Sequence, residues 1–117
     1  MVVTEEIGVY AIPGTREVNT PEAILNRVCE LYGEKPVHVM SLNSFRGSPY
    51  VEIRQVVMTI MWYKTKRSRA SIAAFFGIDH ATASHAHKTI RNIFNTDKRF
   101  SRFFIDNFSI NPNDERC

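Results

Sequence analysis

Apolar residues recur along this chain at intervals of three and four positions, the spacing that places side chains on one face of an α-helix. Five segments show this spacing, and no segment shows the strict alternation typical of a paired strand. The sequence therefore predicts an all-α fold, a compact bundle of about five helices. The apolar faces of the five segments are formed by Ile24, Leu25, Val28, Leu31 and Tyr32, then Ile53, Val56, Val57, Ile60 and Met61, then Ile72, Phe75 and Phe76, then Ala83, Ala86, Ile90, Ile93 and Phe94, and finally Phe100, Phe103, Phe104 and Phe108.

Helix start and stop signals bound these segments. Each segment follows a residue whose side-chain oxygen can accept a hydrogen bond from the first turn, and proline comes next in the first two. Gly33 and Gly77 follow the first and third segments, as is typical of helix ends. The residues that precede the five helices are Thr20, Ser48, Ser68, Asp79 and Asp97. This divides the chain into an irregular amino-terminal arm (1–19), a helical domain (20–108) and a frayed tail (109–117).

The net charge of +3 is unevenly distributed along the chain. Residues 1–45 carry a net charge of −3, residues 46–102 carry +8 and residues 103–117 carry −2. A segment with that much positive charge is a candidate phosphate-facing surface, although an ordinary solvated face has the same composition.

Several classes of protein are disfavoured by what the sequence lacks. No apolar run has the length of a signal peptide or a membrane span, so a cytoplasmic protein with no membrane partner is expected. Cys29 and Cys117 fit neither a disulfide framework nor a metal site, and Cys29 is expected to be a buried thiol. There is no G-x-x-x-x-G-K-[ST] loop for a nucleotide, and neither a cofactor nor enzymatic activity is expected.

Residues 71–90 predict a short apolar helix, a glycine stop and a second helix, the arrangement of a helix-turn-helix. The first turn of the second helix carries short side chains where free backbone N–H groups and the positive end of the helix dipole lie. There a carboxylate can accept from cytosine, an imidazole can donate to a base, and a methyl group can contact thymine. The side chains are Asp79, His80, Ala81 and Thr82, followed on the same side by His85 and Lys88. Taken singly, Asp79 is more simply a helix cap and His85 an exposed helical histidine.

Basic residues are concentrated just before the helix-turn-helix. Lys64, Lys66 and Arg67 lie between the second and third predicted helices. The start of the third helix, Ser68-Arg69-Ala70, offers backbone amides and a cation, a combination that suits an anion. Arg69 is therefore a candidate phosphate contact.

This stretch resembles the C-terminal DNA-binding domain of the bacterial replication initiator DnaA. That family has a signature of approximately I-G-x-x-F-G-G-R-D-H-T-T-V-L-H-A, followed shortly by K-I, and an Arg-Gln pair upstream in a long helix. The matching residues here are Ile72, Phe76, Gly77, Asp79, His80, Thr82, His85, Ala86, Lys88 and Ile90, with Arg54 and Gln55 upstream. The resemblance covers about residues 20–108 and implies a sequence-preferring binder of double-stranded DNA, in replication initiation or transcription control.

The resemblance also implies a role for each residue. The recognition helix, about residues 79–95, would lie in the major groove. Contacts to base edges are implied for Asp79, His80 and Ala81, and contacts to the DNA backbone for Thr82, His85, Arg54 and Gln55. Lys88 matches a basic position, and the loop carrying Arg46 would lie near the minor groove. This chain has one residue fewer between Phe76 and Asp79 than the family, has Ala81 in place of a threonine, and has a shorter arginine loop.

Two other readings remain open. The chain could be a protein-interaction module that has the same fold but no longer binds DNA, since the first 45 residues are acidic and the arginine loop is reduced. A metal-dependent nuclease using Asp79, His80, His85 and His87 is disfavoured, because this spacing does not match a zinc helix and no paired carboxylates are nearby. A homodimer is compatible with the sequence but not indicated by it.

Overall fold

A computed structural model describes residues 20–41 and 49–116 of the protein, and these residues form six helices and no strand. The all-α prediction is confirmed for this part of the chain. The helices are α1 (Pro21–Tyr32), α2 (Pro36–Val39), α3 (Pro49–Lys64), α4 (Arg69–Phe76), α5 (His80–Thr96) and α6 (Lys98–Phe108). The arm (1–19) and Arg46 lie outside the described residues, and the expectations made for them remain predictions.

Helix ends in the structure follow the signals in the sequence. The Thr20 hydroxyl accepts a hydrogen bond from the N–H of Ala23 at 3.2 Å, and the Asp97 carboxylate accepts from the first turn of α6. Gly77 ends α4 with φ of 68°, a left-handed conformation that disfavours residues with a Cβ. Local chemistry therefore sets where these helices begin and end.

Helix α3 lies at the centre of the domain and packs against α1, α2, α4 and α5, while α6 packs on α5. The predicted apolar face of α3 is fully buried, and Met58 and Thr59 are buried as well because neighbours surround this helix. On α5, Ala83 and Ala86 are each 1% exposed, and their small side chains allow close approach to α3 and α4. Cys29 is buried as expected, and burial raises the pKa of its thiol.

Helix α2 does not appear in the sequence analysis, which predicts a connector there. It has four residues, Pro36–Val39, and only Val39 is buried. One helical turn is too short to show a repeat of apolar positions, so periodicity could not predict it.

The carboxyl-terminal tail differs from the prediction of a frayed end. Ile110 and Pro112 are buried, and the side-chain amides of Asn95 and Asn113 donate to each other at 3.1 and 2.8 Å. The hydroxyl of Tyr63 donates to the backbone carbonyl of Asp114 at 2.6 Å. Residues 109–116 are therefore part of the packed domain, held by contacts to distant residues that leave no periodic pattern in the sequence.

No helix in residues 20–41 or 49–116 combines the length and the apolar character needed to span a lipid bilayer.

Candidate nucleic-acid interface

Helices α4 and α5 form the predicted helix-turn-helix, joined by residues 77–79. The left-handed Gly77 ends α4, and its N–H donates to the carbonyl of Ala74 at 3.2 Å. The N–H of Ile78 donates to the carbonyl of Ala73 at 3.0 Å, and Asp79 then begins α5. The turn is therefore closed by its own backbone, which fixes how α5 leaves α4.

The amino end of α5 is open to solvent. Asp79, His80, Ala81 and Thr82 are all exposed. The Asp79 carboxylate accepts from the N–H of Thr82 at 2.8 Å and from the Thr82 hydroxyl at 2.9 Å, both through Oδ1. The backbone hydrogen bond, followed by the hydroxyl, holds the pKa of Asp79 below its ordinary value. An ionised carboxylate thus stands at this helix end, with Thr82 fixed beside it.

The outer face of α5 continues this exposed surface. Ser84, His85 and Lys88 are exposed, while Ala83 and Ala86 on the opposite side are buried. The structure therefore leaves six of the predicted site residues exposed, four at the amino end of α5 and two on its outer face. These are Asp79, His80, Ala81, Thr82, His85 and Lys88.

Arg54 is not directed freely into solvent. Its Nη1 donates to the carbonyls of Val39 at 2.6 Å and Ser41 at 3.2 Å, and partial burial lowers its pKa. The guanidinium therefore joins α3 to the end of α2 and to Ser41. Gln55 is half-buried next to it. The phosphate contacts implied for these two residues remain predictions.

Arg69 lies against other side chains of the domain. Its guanidinium carbon lies 3.8 Å from the centre of the Trp62 ring, and its Nη2 donates to Nδ1 of His87 at 2.8 Å. Partial burial lowers its pKa, and the charge of Arg116 adds to that effect. The first residue of α4 thus connects α3 to α5, an internal role that the sequence analysis did not anticipate for this candidate phosphate contact.

His87, which the sequence analysis weighed only as a metal ligand, is a buried residue that connects α4, α5 and the carboxyl-terminal residues. It is 9% exposed, and its Nε2–H donates to the carbonyl of Pro112 at 3.1 Å. The hydroxyl oxygen of Tyr63 lies 3.2 Å from the same nitrogen. Since Nδ1 accepts from Arg69, the ring is neutral, and burial is the main cause that lowers its pKa. The available signal was its position, two residues after the exposed His85 and hence on the other side of the helix.

The turn between α3 and α4 is the other basic feature near this surface. Lys66 and Arg67 are exposed, and Lys66 has a positive φ of 59°. Arg67 Nη1 donates to the hydroxyl of Ser71 at 3.1 Å. Cationic side chains therefore flank the beginning of α4.

The histidines of α5 do not form part of a metal-binding cluster among the described residues. Within the described part of the chain, no three His, Cys, Asp or Glu side chains are grouped so that they could hold a metal ion. Both ring nitrogens of His87 are already hydrogen-bonded to protein groups.

Comparison with known proteins places this arrangement in a family. The family described as "Bacterial dnaA protein helix-turn-helix" matches residues 21–90, more than half of the chain. The chromosomal replication initiator protein DnaA of Flavobacterium psychrophilum is 44% identical over 57 residues, which is 48% of this chain but only 12% of that protein. No solved structure gives a significant match. The resemblance inferred from the sequence is confirmed, and the chain belongs to the bacterial DnaA helix-turn-helix family.

Proposed function

We propose that this protein binds double-stranded DNA with a preference for sequence, using α5 as the recognition helix in the major groove. The observation that carries the proposal is the amino end of α5, which is exposed, holds an ionised Asp79 and presents His80 and Ala81 beside it. Short side chains at an exposed helix start are suited to base edges. Binding alone is proposed, without a catalytic step.

Within this proposal each residue of the exposed face has a role. Asp79, His80 and Ala81 contact base edges, whereas Thr82, His85 and Lys88 contact the DNA backbone. Arg54 and Gln55 contact phosphate, as the family resemblance implies. Arg46, which precedes α3 in the sequence, contacts the minor groove.

The biological setting is proposed from the same family. The relative from Flavobacterium psychrophilum is named a chromosomal replication initiator, and this chain matches only a small part of it. We place the DNA binding of this chain in replication initiation or in the control of transcription. A cytoplasmic location follows from either process.

The test is selection of bound duplexes from a random pool, followed by titration of the enriched duplex at several salt concentrations. A recurring motif is expected. Contact with about five to seven phosphates would give a slope of log K against log salt of about −5 to −6. A palindromic motif would indicate a two-fold dimer. Absence of an enriched motif together with a flat salt dependence would contradict the proposal.

A second candidate is a protein-interaction module that no longer binds DNA. The observation in its favour is that Arg54 and Arg69 both direct their guanidinium groups at protein atoms. A gel shift on random duplex at low salt separates the two candidates. A shift that salt reverses supports DNA binding, whereas no shift at all favours the interaction module.

A further inference from the structure

The carboxyl end of α3 is capped by a residue from the far end of the chain. The last four carbonyl groups of a helix have no hydrogen-bond partner within that helix. In α3, the carbonyl of Trp62 is one of these four. Arg116 Nη1 donates to the Trp62 carbonyl at 3.3 Å and to the carbonyl of Arg67, in the turn that leads to α4, at 2.7 Å. A cation at this position also suits the negative end of the α3 dipole.

The indole of Trp62 extends this connection to α4. The guanidinium carbon of Arg116 lies 3.6 Å from the centre of the Trp62 ring, and that of Arg69 lies 3.8 Å from it. Guanidinium groups over an indole are attracted by the negative ring face. The Trp62 side chain therefore joins Arg116 to Arg69, the first residue of α4.

Other contacts hold the C-terminal segment (residues 109–116) in the same place. Pro112 is buried, and its carbonyl accepts a hydrogen bond from His87 of α5. The backbone carbonyl of Asp114 accepts a hydrogen bond from the hydroxyl of Tyr63 of α3. The segment thus contacts α3, the α3–α4 turn and α5, the parts that determine how the helix-turn-helix is oriented. It lies outside residues 21–90, the part that the family matches.

We propose that Arg116 is a positioning residue, which fixes the α3–α4 turn (residues 65–68) and so orients α4 and α5 on DNA. Its Nη1 donates to two backbone carbonyls of the protein, and in this proposal it acts through the turn and not by contact with phosphate. This proposal rests on DNA binding as the function, but its structural part can be measured without DNA.

The experiment compares Arg116→Ala and Arg116→Lys with the wild type, and uses Arg102→Ala as the matched control. Arg102 is an exposed arginine on α6, so its replacement removes the same charge without touching the turn. Three quantities are measured: the Kd for the selected duplex, the slope of log K against log salt, and the emission of Trp62 without DNA. Trp62 is the single tryptophan of the chain, so its emission reports this site alone.

We expect Arg116→Ala to raise Kd by about tenfold, equivalent to about 1.4 kcal/mol, with Arg102→Ala close to the wild type. The salt slope should not change, because no phosphate contact is lost. Arg116→Lys should not restore affinity, since an ammonium cannot reproduce the planar, multiply donating guanidinium. Both Arg116 variants should change the emission of Trp62.

Three results would overturn the proposal. One is an unchanged Kd in a variant that remains folded by circular dichroism. Another is a salt slope smaller by about 0.9 with rescue by lysine, because that marks a direct phosphate contact. The third is unchanged Trp62 emission in both variants. If Arg116→Ala melts below the assay temperature, Arg116→Lys provides the same comparison.

Failure of the proposed function has a different signature. A wild-type protein that binds no duplex contradicts DNA binding. Hydrogen exchange at the amides of residues 65–68, compared between wild type and Arg116→Lys without DNA, then still decides whether Arg116 fixes the turn. Faster exchange in the variant supports that role, and equal exchange rejects it.

Discussion

His85 and His87 stand two residues apart on α5 and have opposite surroundings. Two positions correspond to about 200° around a helix, so the two rings leave the axis on opposite sides. His85 is exposed on the outer face that also includes Lys88, whereas His87 is buried. The same side chain, on the same helix, therefore meets either solvent or the interior.

The difference separates two tasks of α5. The exposed face begins with a capped helix end that no other described element covers, so it is available to a partner. The buried face holds His87, which connects Arg69 of α4 and Pro112 of the C-terminal segment. Substitutions on the exposed face should change binding, and those on the buried face should change stability.

Replacement of His87 should have the largest effect on stability. His87→Ala removes the acceptor for the half-buried Arg69 and the donor for the carbonyl of the buried Pro112. We expect the free energy of unfolding to fall by about 2–4 kcal/mol, measured by urea denaturation.

The matched variant on the other side of the helix is His85→Ala. It should change the free energy of unfolding by less than about 0.5 kcal/mol. It should also weaken binding to every duplex by a similar factor, as expected for a backbone contact. Equal losses of stability in the two histidine variants would contradict the division of α5 into two faces.

Asp79 allows its capping role to be separated from base recognition. Asparagine is as good a helix cap as aspartate, so Asp79→Asn keeps the cap and loses only the stabilisation that the carboxylate charge gives at this exposed helix end. We expect it to reduce discrimination between the selected duplex and single-base variants by about 1–3 kcal/mol. Competition titrations measure this quantity. Asp79→Ala is the control, because it removes the cap together with the charge and should also lower the free energy of unfolding.

The result that would reject base recognition by Asp79 is equally specific. If Asp79→Asn bound all duplexes with the same discrimination as the wild type, the carboxylate would be a cap and nothing more.

Acidification should destabilise the protein through His87. Burial lowers its folded-state pKa below the ordinary value of 6.5, with the charges of Arg69 and Arg91 adding to the effect. The unfolded chain therefore binds a proton first as the pH falls. We expect the free energy of unfolding to fall from about pH 6.5 downwards and to stop falling, for this group, below the folded-state pKa.

The measurement is urea denaturation between pH 7.5 and 5 in wild type and His87→Gln. The difference between the two proteins isolates the contribution of this ring to the pH dependence. Parallel pH profiles would show that His87 takes no part in the loss of stability.

The smallest effect is expected in the α3–α4 turn. Lys66 has a φ of 59°, a left-handed conformation in which asparagine is tolerated better than lysine. Lys66→Asn should raise the free energy of unfolding by about 0.5 kcal/mol. Thermal melting checks the sign of this change in stability. A lower melting temperature for Lys66→Asn would mean that contacts of the lysine side chain stabilise the protein by more than the left-handed backbone conformation destabilises it.

Most helix boundaries could be predicted because they depend on neighbouring residues. Thr20, Asp79 and Asp97 each accept hydrogen bonds within three residues, and Gly77 provides a left-handed conformation at one position. The exposed face of α5 could be predicted for a similar reason, since apolar spacing on one side leaves the other side for solvent.

The interior roles of the charged residues could not be predicted in the same way. Arg69 and Arg116 both stack on Trp62, and Arg54 donates to carbonyls that precede it by 13 and 15 residues. These contacts depend on how helices meet in space. An arginine has no periodic signature that separates a solvent-exposed guanidinium from one that joins two elements.

The most direct measurement of the central claim is an NMR titration of the imidazole resonances with the selected duplex. We expect the resonances of His80 and His85 to shift on binding and that of His87 to stay in place, because its ring nitrogens are already bonded inside the protein. Shifts confined to residues of α6 or α1, with His80 and His85 unchanged, would contradict recognition by the amino end of α5.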